Sequence, residues 1–269
     1  MDIVNDLRII KSLKEGGQKK VYLAECNMFG KVVFKVGQCN SVSGFERIKR
    51  EVELLRNINS PYFPQNYDFR FDDKGNFQIL EEYIESKSLY ECIYYYDSEI
   101  KIAVFALGLI NGMKLLWDKR IVHRDLKPDN ILIKETYQPV IIDLGIARDL
   151  EGKSLTKTVL NRGPCTPVYA SPEQLKNMKN SIDARTDFFS IGIILCELFL
   201  KVHPFHPQVV GEGLGIVENI ETGKYLLQFD NKKMSNQLES IIKRLLETKQ
   251  YNRYRTYMKL EEDLKRLIV

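Results

Sequence analysis

The stretch IVHRDLKPDNILI, residues 121–133, places a carboxylate at Asp125, an ammonium two positions on at Lys127 and a carboxamide five positions on at Asn130. Each residue type answers a need of phosphoryl transfer. The acceptor hydroxyl needs a group to take or orient its proton, the migrating phosphoryl needs a positive charge, and the metal that neutralises phosphates needs oxygen ligands. Downstream, Asp143-Leu144-Gly145 offers a second carboxylate beside an apolar residue, and the string CTPVYASPE follows at residues 165–173.

Taken in this order, the three strings resemble the H-R-D-L-x-x-x-N catalytic loop, the D-F-G motif and the G-T-P-x-Y-x-[AS]-P-E end of the activation segment of protein kinases. Lysine two residues after the aspartate is the serine/threonine form of the loop. The wording DLGIAR, the pair Thr156 and Thr158, and SPEQ are most similar to bacterial Hanks-type serine/threonine kinases. The resemblance runs over essentially the whole chain. It implies an α+β, two-lobed protein-kinase-like fold with a small antiparallel-sheet N-lobe carrying one key helix, about residues 1–84. A hinge at about 85–88 and a larger, mainly α-helical C-lobe at about 89–269 complete a single kinase domain.

Periodicity gives the same order of elements. Apolar or alternating runs at Val21–Ala24, Lys31–Val36, Tyr67–Phe71 and Phe77–Ile84 read as strands. Between the second and third, Phe45, Ile48, Val52, Leu55 and Ile58 recur at three- and four-residue steps, with Arg47, Lys49, Arg50 and Arg56 on the other face, which predicts a helix. Beyond Tyr83 the pattern is helical, at Ile100–Trp117, Asp183–Leu200, Asn236–Glu247 and Met258–Ile268.

Composition bounds the partners. With 269 residues, 44% of them hydrophobic and 28% charged, the chain has the make-up of an ordinary globule with a sizeable core. A net charge of +4 is too mild to argue for nucleic acid, and none is expected. Five cysteines without a CxxC pair suggest neither a disulfide framework nor a zinc site, which fits a reducing cytoplasm. No run of about eighteen apolar residues suggests a membrane span. His203 and His206 have no third ligand nearby in sequence and read as turn residues. The GEGLG string at 211–215 follows a helix and a turn, not a first strand, and reads as a loop. Oligomeric state is not encoded legibly.

The resemblance also assigns roles. Asp125 and Lys127 would be catalytic, Asp125 acting on the acceptor hydroxyl and Lys127 on the transferred phosphoryl. Asn130 and Asp143 would hold Mg2+, and Lys35 in VVFKV would pair with phosphates of ATP, partnered by Glu51. Gly16, Val21, Glu82, Tyr83 and Leu132 complete the nucleotide-binding set, and protein serine or threonine hydroxyls would be the acceptors. Arg124, beside the catalytic aspartate, would bind a phosphate on Thr156 or Thr158, so that autophosphorylation switches the enzyme on. Asp187 would anchor the catalytic loop, and Arg255 would pair with Glu173. For His123 the family role and a plain core histidine coincide.

Two departures stand out. Aligning Val21 with the valine of G-x-G-x-x-G-x-V puts Lys14, Gly16 and Lys19 at the three glycine positions, so only the middle glycine is kept. Glu81 falls where an apolar or hydroxyl residue is usual. A carboxylate there needs a partner, and Lys35 is the candidate, in competition with Glu51. These departures keep a second reading open, a pseudokinase scaffold with weak nucleotide binding. A small-molecule kinase of the aminoglycoside type shares the aspartate-asparagine loop but lacks the SPE platform.

Overall fold

Alternating side chains in the first third of the chain give strands, and these assemble in the computed structural model as one antiparallel sheet. The structure describes residues 6–16, 19–38, 42–144, 148–149, 166–211, 214–229 and 232–269. The strands are β1 (Arg8–Gly16), β2 (Lys19–Cys26), β3 (Gly30–Gln38), β4 (Asn66–Phe71) and β5 (Asn76–Glu82), in the order β1-β2-β3-β5-β4. The helix α1 (Val42–Arg56) stands between β3 and β4 in sequence. On one face of the sheet Ala24, Cys26, Val32, Phe34 and Leu80 form a buried cluster; on the other, Phe77 and Ile79 pack with Val52 of α1. The β2–β3 turn closes through Gly30 at φ +65°, a backbone conformation that residues with a Cβ seldom adopt. These elements make up the first of two compact units, Met1–Glu85 and Ser86–Val269.

The second unit is mainly helical, so the fold is α+β as expected. Short strands β6 (Lys87–Ser88), β8 (Ile131–Ile133) and β9 (Pro139–Ile141) form one sheet, and β7 (Ile121–Val122) pairs with β10 (Arg148–Asp149). The expected hinge at 85–88 is thus half strand, because Lys87 and Ser88 pair with Ile133 and Leu132. The helices are α2 (Glu99–Trp117), α3 (Pro172–Leu175), α4 (Ala184–Leu200), α5 (Pro207–Val210), α6 (Ile216–Thr222), α7 (Asn236–Leu245) and α8 (Tyr257–Lys265). Ser98 caps α2 by accepting from the Lys101 N–H, and Asp183 caps α4 by accepting from that of Arg185. By length and composition α2 is apolar enough to cross a membrane, with a mean hydropathy of 1.6. Its apolar residues instead meet α4, α8 and β9, which is the reason a core helix is apolar nearly all round. Gly192 in α4 faces α7 so closely that an added Cβ would come within 2.7 Å of the Leu245 Cβ. Glycine there is a packing requirement and no break in the helix.

His203 opens a turn, as expected, its carbonyl accepting from the His206 N–H at 3.0 Å, and its ring takes on a further role. It is buried, with Nε2 2.8 Å from the Val168 carbonyl and Nδ1 accepting from the Phe205 N–H, which is the neutral tautomer with its proton on Nε2. Burial pushes its pKa from 6.5 down to about 4. The unfolded ring therefore takes up a proton before the folded one does. Its contribution is complete above pH 6.5 and lost as pH falls towards 4, at a cost of about 3 kcal/mol by linkage. Glu197, raised by burial to about 7, gives the opposite slope, its contribution being lost as pH rises through 7. A His203→Asn variant compared with the parent by urea unfolding at pH 7.5, 5.5 and 4.5 isolates the histidine. The stability gap between the two should narrow as pH falls, and a gap constant with pH would contradict the assignment.

Candidate active site

The loop 121–133 is held from below by one buried carboxylate. Asp187 in the first turn of α4 is wholly buried; Oδ1 accepts from the Arg124 N–H at 2.8 Å, and Oδ2 from the His123 N–H at 3.0 Å and from Trp117 Nε1 at 2.9 Å. Burial raises the Asp187 pKa, and these three N–H donors oppose the rise. Arg124 has φ +71°, a conformation costing about 1–3 kcal/mol for a residue with a side chain. It is fixed on both sides, its N–H by Asp187 and its carbonyl by Gln174 Nε2 at 2.8 Å. His123 is fully buried, and burial lowers its pKa, so the ring is a neutral wedge under the loop.

Above this anchor the polar groups converge on Asp125. Its Oδ2 accepts from Lys127 Nζ at 2.8 Å and from Asn130 Nδ2 at 3.0 Å, and its Oδ1 accepts from the Thr166 N–H at 3.1 Å and hydroxyl at 2.7 Å. Lys127 Nζ also donates to Thr166 Oγ1. Asn130 Nδ2 reaches the Asp125 carbonyl as well, so the amide N, not the amide O, is turned to Asp125. Thr166 is the residue the sequence reading missed. It was visible as the threonine of CTPVY but carried no assigned role, because contact across 41 residues has no local signature. Asp143, also at positive φ (+63°), follows β9 and is half-buried, with Leu144 buried behind it.

In the first unit Lys35 Nζ lies 2.6 Å from Glu81 Oε2. Glu51 is on α1, but its side chain is outside the described residues, as are Gly145, Thr156 and Thr158. Gly16 pairs with Lys19 at the end of the β1–β2 hairpin, and Val21 stands opposite Lys35. Glu82 accepts from the Gln65 N–H, Tyr83 has the Lys31 ammonium 5.9 Å over its ring, and Leu132 is half-buried in β8.

One expectation is corrected. Glu173 pairs with Arg253, not Arg255. The Arg253 guanidinium meets both Glu173 oxygens, at 2.7 and 2.9 Å, with side-chain exposures of 0% and 5%. Its remaining donors go to the carbonyls of Arg185, Glu247 and Thr248, while Arg255 is exposed.

Residues 8–263 match the protein kinase domain family, and the chain belongs to it. It is 28% identical over 273 residues to a probable serine/threonine-protein kinase of Clostridium perfringens, an alignment covering 98% of this chain and 38% of that protein. It is 33% identical over 210 residues to the serine/threonine-protein kinase pkn2 of Myxococcus xanthus, covering 74% of this chain and 25% of the relative. The carbon catabolite-derepressing protein kinase of Saccharomyces cerevisiae is 28% identical over 266 residues, covering 97% and 40%. The chain therefore spans less than half the length of these relatives. The class is a protein kinase domain of the Hanks serine/threonine type.

Proposed function

We propose that this domain transfers the γ-phosphoryl group of ATP to serine or threonine hydroxyls of proteins with Mg2+ as the metal. The observation that carries the reading is the convergence of Lys127, Asn130 and Thr166 on the Asp125 carboxylate, on a loop locked by Asp187. Asp125 takes or orients the proton of the acceptor hydroxyl, and Lys127 brings positive charge to the same spot. The donor set fits magnesium, since a carboxamide oxygen at Asn130 and a carboxylate at Asp143 are hard ligands. Magnesium, when bound, neutralises phosphate charge. Lys35 holds phosphates, and Gly16, Val21, Glu82, Tyr83 and Leu132 belong to the nucleotide site of the same reading. Phosphate on Thr156 or Thr158, bound by Arg124, is the proposed activating switch, and the cytoplasm is the proposed compartment.

Asp143→Ala is expected to weaken ATP binding at millimolar Mg2+ while leaving magnesium-free binding unchanged, because only a ligand to the ion is lost. Calorimetric titrations with and without Mg2+ test this; equal magnesium dependence in parent and variant would remove Asp143 from the metal site. Lys14 and Lys19 in glycine positions support the alternative reading, a scaffold that binds nucleotide weakly. Incubation with labelled ATP and Mg2+, followed by mass-spectrometric mapping, separates the two. Incorporated phosphate, including on Thr156 or Thr158, supports the kinase, and none at all supports the scaffold.

A further inference from the structure

In β5, Glu81 stands opposite Val33 of β3, and Ile79 stands opposite Lys35. Alternation therefore puts Lys35, Ile79 and Glu81 on one face of the sheet, the face on which Ile79 packs with Val52 of α1. The diagonal between the strands brings Lys35 Nζ to 2.6 Å from Glu81 Oε2, with side-chain exposures of 9% and 3%. Both residues lie on interior strands hydrogen-bonded on each side, so the pair sits on a rigid element. A lysine buried this far keeps its charge only with a counter-charge beside it. Glu81 Oε1 is buried and has no hydrogen-bond partner among the described residues, while Oε2 meets the Lys35 ammonium.

We propose that Glu81 is a positioning residue for Lys35, keeping the ammonium charged and fixed on the sheet so that nucleotide phosphates meet a preformed cation. The proposal rests on the reading of Lys35 as the phosphate-binding lysine. It adds a strand carboxylate to the partner that the resemblance gives Lys35 on α1, Glu51, whose side chain is outside the described residues.

The test is calorimetric binding of ATP, ADP and adenosine to the parent chain and to Glu81→Gln, Glu81→Asp and Lys35→Met. Glu81→Gln keeps the size and removes the charge; it should weaken ATP and ADP binding at least about tenfold, as loss of a charge-assisted contact implies, and leave adenosine binding unchanged. Should Glu81→Gln fail to fold, Glu81→Asp decides, because it keeps the charge while drawing it back from Lys35; an intermediate loss confined to ATP and ADP is expected. Unchanged or tighter ATP binding in the folded Glu81 variants, with Lys35→Met impaired, would overturn the proposal. An equal loss for adenosine would overturn it too, because the carboxylate would then act on the base or on the fold. Full ATP affinity in Lys35→Met would instead overturn the underlying reading of Lys35.

Discussion

Replacing Arg253 with methionine is expected to destabilise the helical unit by about 3–5 kcal/mol, the cost of leaving one partner of a buried ion pair uncompensated. Glu173 would keep the Thr186 hydroxyl as a donor but lose both guanidinium bonds. The carbonyls of Arg185 and Glu247 would lose donors as well. For that reason the double variant Arg253→Met/Glu173→Leu should recover only part of the loss, although paired replacement of buried charges by apolar groups is often neutral. Arg255→Ala, at an exposed position, should stay within about 0.5 kcal/mol of the parent. The single tryptophan, Trp117, lies in this unit and donates to Asp187, so its fluorescence during urea unfolding reports on the helical unit alone. A larger loss from the Arg255 change than from the Arg253 change would reverse the assignment.

The Asp125→Asn variant should transfer phosphoryl groups more slowly by roughly 10²–10⁴-fold, the range for loss of a positioned proton acceptor. The asparagine keeps the size of the side chain, so Thr166 and Lys127 have an oxygen to approach, but the carboxylate that receives the acceptor proton is gone. Because the change falls on the acceptor side, calorimetric ATP binding should be nearly unchanged. A variant that turns over at the parent rate would strip Asp125 of its role, and one that loses ATP binding in equal measure would move that role to the nucleotide.

The long elements were legible because their periodicity is long. The helices α2, α4 and α7 begin within a residue of where the apolar pattern begins, since Ser98, Asp183 and Ser235 are side-chain caps written into the sequence. β1 was not legible: its pairing with β2 slips twice, between Ile9 and Lys11 and between Ser12 and Lys14, and each irregularity destroys the period of two on which strand reading depends. The short helices α3, α5 and α6 have too few turns to show a period. At the site, the local string 121–133 announced itself, and the partnership of Lys35 with Glu81 was open to inference because a buried carboxylate demands a cation. The partners that come from afar were not open to it. Arg253 and Arg255 lie in a short irregular connection between the turn at 250–252 and α8, and without a repeating period nothing local says which of the two arginines faces inward. Thr166 and His203 owe their positions to contacts with residues 41 and 35 places away.

The central claim is phosphoryl transfer to serine or threonine by the group of residues gathered on Asp125. Its most direct test is transfer from γ-labelled ATP with Mg2+ to a set of peptides identical except for serine, threonine, tyrosine or alanine at the acceptor, run with parent and Asp125→Asn protein. The account predicts label on the serine and threonine peptides with the parent alone. Label on tyrosine only, or no label on any peptide or on the protein itself, would contradict it.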